Sequence, residues 1–259
     1  VKGVSSKMCE VIGLINSRIL DPVQGKLKKL VVFVPLSHEE KVRQAIFEGG
    51  AGVIGKYDAC SFNARGEGTF RGGEDSNPFV GEKGKLQKED EVRIETVFPE
   101  HMKGSVITAM LLAHPYEEVA FEITTLDNKN QHIGMGMIAE LENPMSEDAF
   151  LMYLKEKMNT DCIRHSKKTN KPIKKVAVLG GSGSFAINDA IAQGADVYVT
   201  SDLKYHDFYT AENKILLTDI GHYESEQYTK ELLHTYLTKK ITNFAIVLSQ
   251  INTNPISYF

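Results

Sequence analysis

Residues 174–202 read KKVAVLGGSGSFAINDAIAQGADVYVTSD, and the order of patterns within them decides the fold. Val176–Leu179 is a near-continuous apolar run that stops at a glycine-serine turn, 180–184, as a strand buried on both faces does. Helical spacing follows from Phe185, Gly194 ends it, and Val197–Thr200 is a second apolar strand. Strand, helix and strand make a βαβ unit, whose second strand runs parallel to the first. Working outward, the pattern repeats: a short helix over 205–213, a third strand over 214–221 and a long helix over 222–240. HIGMGMIAEL (132–141) predicts a strand leading in, and Ser146 caps a helix over 146–158. This part of the chain is expected to form an α/β layer on a parallel, two-sided sheet, with NFAIVLSQI (243–251) as its edge strand.

The upstream stretch has a different style. LVVFV (30–34) is a strand ended by Pro35, and SHEEKVRQAIFEGGAG (37–52) is a helix with Ser37 and Glu40 in capping-box spacing and Gly49-Gly50 as its stop. Residues 57–85 are too rich in glycine for a helix. In DEVRIETVFP (90–99), Val92, Ile94, Thr96 and Phe98 alternate onto one face, MKGSVITAMLLAHP (102–115) is a helix ended before Pro115, and EEVAFEITTL (117–126) is a strand. Strand–helix–strand–strand–helix–strand is the ferredoxin-like order, and it predicts a separate α+β domain over 29–126. Ahead of it, SSKMCEVIGLI (5–15) carries Met8, Val11, Ile12 and Ile15 at helical spacing, a helix whose apolar face has no evident partner.

Composition narrows the function. Of 259 residues 42% are hydrophobic and 25% charged, so a sizeable core is available, and the net charge of −4 lacks the basic excess of a nucleic-acid binder. No window approaches the ~18–20 apolar residues of a membrane span, and no signal-peptide pattern opens the sequence. Cys9, Cys60 and Cys162 are odd in number and widely spaced, which points to a reducing cytoplasm, with Cys60 a small buried thiol.

Three strand ends fall one βα unit apart and are expected to line one crevice: GGSGS (180–184), TSD (200–202) and DIGH (219–222). Gly181, Ser182 and Ser184 offer backbone N–H groups that suit an anion, or simply make a tight turn. Asp202, Tyr205 and His206 follow the second strand; Asp202 reads best as a helix cap, while His206 has the titration range of a proton-transfer group. His222 and Glu226, at i and i+4, share a helix face and suit zinc, manganese or iron; a solvated face explains the spacing as well. In AHPYEE (113–118), His114 and Glu117 are donor types, though a helix stop accounts for Pro115.

ADVYVTSDLKYHDF with DIGHYESEQYTKEL resembles the C-terminal half of the NIF-three-like dinuclear metal-centre proteins, many of them labelled type 2 homologues of GTP cyclohydrolase I. The stretch from GAGVIGKYDACSFNARGEGTF to LLAHPYEEVAFEI resembles the PII/CutA-like domain inserted in longer members. The resemblance implies an α/β/α host made of 1–28 and 127–259, the former ending its N-terminal half, with the insert at 29–126. It further implies a cytoplasmic hexamer built from two trimers, and two divalent ions (Zn, Mn or Fe) held partly by His222 and Glu226. The family's adjacent His-His pair and upstream aspartate have no counterpart, so the expectation is that about a hundred N-terminal residues of a full member are absent and the site is incomplete in this chain. The implied activity is hydrolysis of a nucleotide or other phosphorylated small molecule; the alternative is a non-catalytic ring-forming, regulatory or metal-handling protein whose insert senses a small molecule.

Overall fold

The computed structural model describes residues 3–258. Two compact units emerge: the chain up to Pro22 together with His132 onward, and Val23–Gln131 between them. The first helix, α1 (Val4–Ile12), stops earlier than its spacing predicts. Gly13 adopts φ 76°, its N–H and that of Leu14 close on Glu10 and Cys9, and Ile15 instead opens strand β1 (Ile15–Val23). The helix is not unpartnered either. Met8, Cys9 and Ile12 are buried in one core with Phe150, Leu154, Val176 and Val178. Burial pushes the Cys9 thiol up to about 12.

The intervening unit runs β2 (Leu27–Pro35), α2 (Glu39–Glu48), β3 (Phe62–Arg71), β4 (Leu86–Pro99), α3 (Lys103–Ala113) and β5 (Phe121–Leu126). Its sheet has the order β3-β4-β2-β5, the ferredoxin-like arrangement. Strand alternation does the work here. Leu30, Val32, Val34, Val92, Ile94 and Phe98 point to one side and pack on Val42, Ile46, Val106 and Met110 of the two helices. Ser37 is not the cap of α2. Residues Leu36–His38 form a 3-10 turn, Ser37 Oγ bonds His38 Nδ1, and the helix begins only at Glu39. Cys60 is half-buried and not enclosed.

The rest of the chain adds β6 (Asn130–Met145), α4 (Glu147–Lys157), β7 (Arg164–His165), β8 (Ile173–Ser182), α5 (Ile187–Ala192), β9 (Val197–Ser201), β10 (Leu216–Asp219), α6 (His222–Glu226) and α7 (Thr229–Lys240). The sheet order is β1-β6-β8-β9-β10-β7. Its centre, β8-β9-β10, is parallel as expected, while β6 and β7 pair antiparallel. Ser146 does cap α4, accepting the Ala149 N–H at 3.3 Å. Asp196 sets the start of the sheet, since its Oδ2 accepts the N–H groups of Lys174 and Lys175. The expected 222–240 helix is broken after Glu226, and 243–251 carries no strand pairing. That last segment is fastened by single contacts, such as His234 Nε2 to the Ile246 carbonyl at 3.1 Å. Among the described residues no helix is long and apolar enough to cross a membrane.

Residues 23–131, expressed alone, should give a dispersed NMR spectrum and one cooperative unfolding transition. Within that span Ile94→Ala, which empties a fully buried site, should cost roughly 2–5 kcal/mol in urea unfolding.

Candidate metal centre

The carboxylate of Asp219 organises the ends of β9 and β10. It is 5% exposed, its Oδ2 accepts the Leu203 N–H at 3.0 Å and pairs with Arg164 Nη1 at 3.0 Å, and its Oδ1 accepts the Gly221 N–H at 3.1 Å. These bonds hold the segment after β9 against the turn into α6. As a consequence Asp202 meets His222: Oδ2 lies 2.6 Å from Nδ1. Asp202 sits at φ 57°, a left-handed conformation that short polar side chains tolerate better than most. It is not the helix cap its position suggested. The 3-10 turn that follows, Tyr205–Ala211, is capped at Lys204, whose N–H Asp207 accepts at 2.7 Å from inside the turn.

Four residues along α6, Glu226 Oε2 lies 3.6 Å from His222 Nε2. With Nδ1–H donated to Asp202, the neutral imidazole presents the Nε2 lone pair toward Glu226. Gly181 closes the third side. Its φ is 76°, and a Cβ there would fall 2.8 Å from Glu226 Oε1 and 3.6 Å from His222 Cε1. A side chain at 181 would occupy the space the pair needs.

The glycine-serine turn is otherwise spent on structure. The Gly181 N–H goes to Ser225 Oγ at 2.9 Å and the Gly180 N–H to Ser5 Oγ at 3.4 Å, so these two are not free for an anion. The Gly181 carbonyl accepts Thr200 Oγ1 and Ser201 Oγ. Ser182 is exposed at the end of β8, and Ser184 opens a 3-10 turn. Tyr205 and His206 form a separate aromatic group: their rings stack edge-on at 5.2 Å, and Tyr205 Oη bonds Tyr209 Oη. His114 belongs to the fold. Its Nε2–H is 3.0 Å from the Phe33 carbonyl and its Nδ1 accepts the Tyr116 N–H, while Glu117 accepts the Asn77 N–H.

Sequence spacing pairs His222 with Glu226 and names Asp202, but not its contact with His222, and it does not single out Asp219. The TSD and DIGH strand ends were the available signal; which acid turned inward was not. Among the described residues, no three His, Cys, Asp or Glu side chains form a ligand set for one ion.

With fold and cluster in place, the class is an α/β protein carrying a ferredoxin-like insertion and a His/carboxylate cluster at parallel strand ends. The family model described as Duf34/NIF3 (NGG1p interacting factor 3) matches residues 1–255, and the chain belongs to this family. It is 38% identical over 269 residues to a Bacillus subtilis protein called GTP cyclohydrolase 1 type 2 homolog, and 37% identical to the Halalkalibacterium halodurans protein of the same name. Each match covers 99% of this chain and 70% of the relative. Among solved structures, a Bacillus cereus protein related to NIF3 superposes with a TM-score of 0.83 at 38% identity, covering 99% of this chain and 70% of that one. Staphylococcus aureus protein SA1388 gives 0.69 at 31%, covering 99% and 68%.

The hydrogen bond to Asp202 raises the pKa of His222, and partial burial opposes this. In metal-free protein, NMR titration should place His222 above the usual ~6.5, and Asp202→Asn should bring it down. The sign follows from linkage: stability from this pair is fully present below the unfolded pKa and is lost as pH rises through the folded one. The half-exposed geometry keeps that contribution small.

Proposed function

We propose that the protein is a metal-dependent hydrolase of nucleotides or other phosphorylated small molecules, with His222 and Glu226 as ligands of a dinuclear centre. The observation that carries this reading is the Asp202–His222–Glu226 line at the strand ends. A carboxylate on Nδ1 that leaves Nε2 available is the usual support of a metal-binding histidine. The spacing also suits an ion: two donors each about 2.0–2.2 Å from a tetrahedral zinc stand roughly 3.4 Å apart, against 3.6 Å here. Two ligands hold a divalent ion poorly; this chain matches 70% of the length of its relatives, and the remaining ligands would come from the rest of that length. Bound ions would lower the pKa of water and polarise a phosphoryl or ring carbon. The chain's own residues have the simpler tasks. Asp202 fixes the imidazole tautomer, Glu226 supplies negative charge, and Gly181 keeps the space open. The relatives named as GTP cyclohydrolase 1 type 2 homologs support a nucleotide as the first substrate to try.

In the complete protein, His222→Ala and Glu226→Ala should each lower metal content well below the parent, measured by plasma mass spectrometry, while His101→Ala in the other unit should not. Full metal retention in His222→Ala would overturn the assignment. Turnover of a nucleotide or phosphoester by the metal-loaded parent, absent in both variants, would establish the hydrolase.

We also propose self-association, as a hexamer of paired trimers. The exposed side chains of Phe244, Val247 and Ile251 support it, being 72–87% accessible along one irregular segment. Light scattering of the complete protein should give a multiple of the chain mass, and Val247→Asp should lower it.

A further inference from the structure

The ferredoxin-like unit contains a cavity of about 630 Å³ that the metal-centre reading leaves without a role. It lies on the sheet face turned away from α2 and α3, since Phe33, Glu91 and Arg93 alternate with the core residues Val32, Val34, Val92 and Ile94. Its floor is β3, where the side chains facing it are minimal: Ala64, Gly66 and Gly68 stand opposite Arg93, Glu91 and Glu89. The walls are aromatic. Tyr116 stands 6.2 Å from Phe70 and 6.1 Å from Phe79, ring centre to ring centre, and Phe33 lines the cleft as well.

Charged side chains of both signs also line the cleft, and of its carboxylates Glu91 is the one held by a ring hydroxyl. Glu91 Oε1 accepts the Tyr116 hydroxyl at 3.0 Å, and Oε2 lies across the backbone of Gly68, where any Cβ would come within 2.2 Å of it. No ion pair is made by Glu91 among the described residues; Arg93, its neighbour two positions on, is paired with Glu95 at 3.0 Å. Gly68 thus makes room for the carboxylate, Tyr116 aims it, and among the described residues none of the arginines lining the cleft (Arg65, Arg71 and Arg93) forms an ion pair with it. Gly66 is different: a Cβ there would meet nothing within 4 Å, so its missing side chain is cavity space.

A carboxylate only accepts hydrogen bonds, and it does so best from two parallel donors. Aromatic walls select a flat ring, and the volume suits a small molecule. We propose that this cleft binds a planar heteroaromatic ring whose edge carries adjacent ring N–H and amino donors, the 2-amino-4-oxo-pyrimidine edge shared by guanine and pterin. The ring stacks among Phe70, Phe79 and Tyr116 while its two donors meet Glu91. This site lies in a different unit from His222 and Glu226 and does not depend on their role.

Calorimetry on the whole chain with guanosine, pterin and adenosine tests it. Guanosine or pterin binds saturably, the tighter of the two identifying the source. Adenosine, which turns a ring acceptor toward the carboxylate, binds at least about tenfold more weakly. Glu91→Gln weakens binding by about 10–100-fold, the range of a lost bidentate contact. Gly66→Leu fills the cleft and abolishes binding with the far-ultraviolet circular dichroism unchanged; should that variant misfold, Glu91→Gln decides alone. His222→Ala leaves binding intact, which separates this site from the metal centre. No binding of guanosine or pterin, equal binding of adenosine, or full affinity in Glu91→Gln overturns the proposal.

Discussion

The buried carboxylate of Asp219 is the constraint on which the arrangement at the strand ends depends. Taking a charge out of water is expensive, and it persists here because Leu203, Gly221 and Arg164 all donate to it. Two of these donors are backbone groups on segments that follow adjacent parallel strands. One side chain therefore sets how the β9 and β10 ends approach each other, and Asp202 and His222 inherit their separation from it. Removing Asp219 would take from Arg164 its carboxylate, leaving its bond to the Leu203 carbonyl, and would leave two N–H groups without an acceptor, so its loss would be felt well beyond one contact.

Around that anchor the cluster is built by exclusion as much as by attraction. Ser201, Thr200 and Ser225 tie down the backbone of Gly181, so the chain passes close to α6 without a side chain to fill the gap. Gly221, at φ 92°, makes the turn into α6 where a Cβ would strike Glu224. The hydroxyls of Ser225 on α6 and Ser5 on α1 accept the N–H groups of Gly181 and Gly180 that would otherwise be available to an anion. A glycine-serine turn after a parallel strand is thus not a phosphate cradle by composition alone; who uses its N–H groups decides.

The ferredoxin-like unit uses the same economy differently. One face of its sheet is packed with branched aliphatic side chains against two helices, and the other is hollowed by glycine and alanine on β3. An edge strand with so little bulk contributes little apolar burial, and its stability rests on its ladder with β4. A cleft on such a face can form without disturbing the core behind it.

Local pattern was enough for the element order, the parallel centre of the sheet, the ferredoxin-like succession and the His222–Glu226 pair, because period, turn residues and i,i+4 spacing act over a few residues. It misjudged what depends on distant partners. Residues 5–15 looked like one helix, but Gly13 stops it and Ile15 joins a sheet; 243–251 looked like a strand, but no neighbour pairs with it. Asp202 looked like a cap until Asp219 brought its segment to His222, 20 residues away. Glu91 was one acid in an alternating strand, and only the fold set it under Tyr116 and over Gly68. Period, turn residues and spacing are local, so they fix the order of most strands and helices and which side chains share a face, but not where each element stops or whether a strand finds a neighbour. Tertiary structure alone decided which polar groups meet, because a hydrogen bond across 20 or more residues is chosen by packing and burial and leaves no periodic trace in the chain.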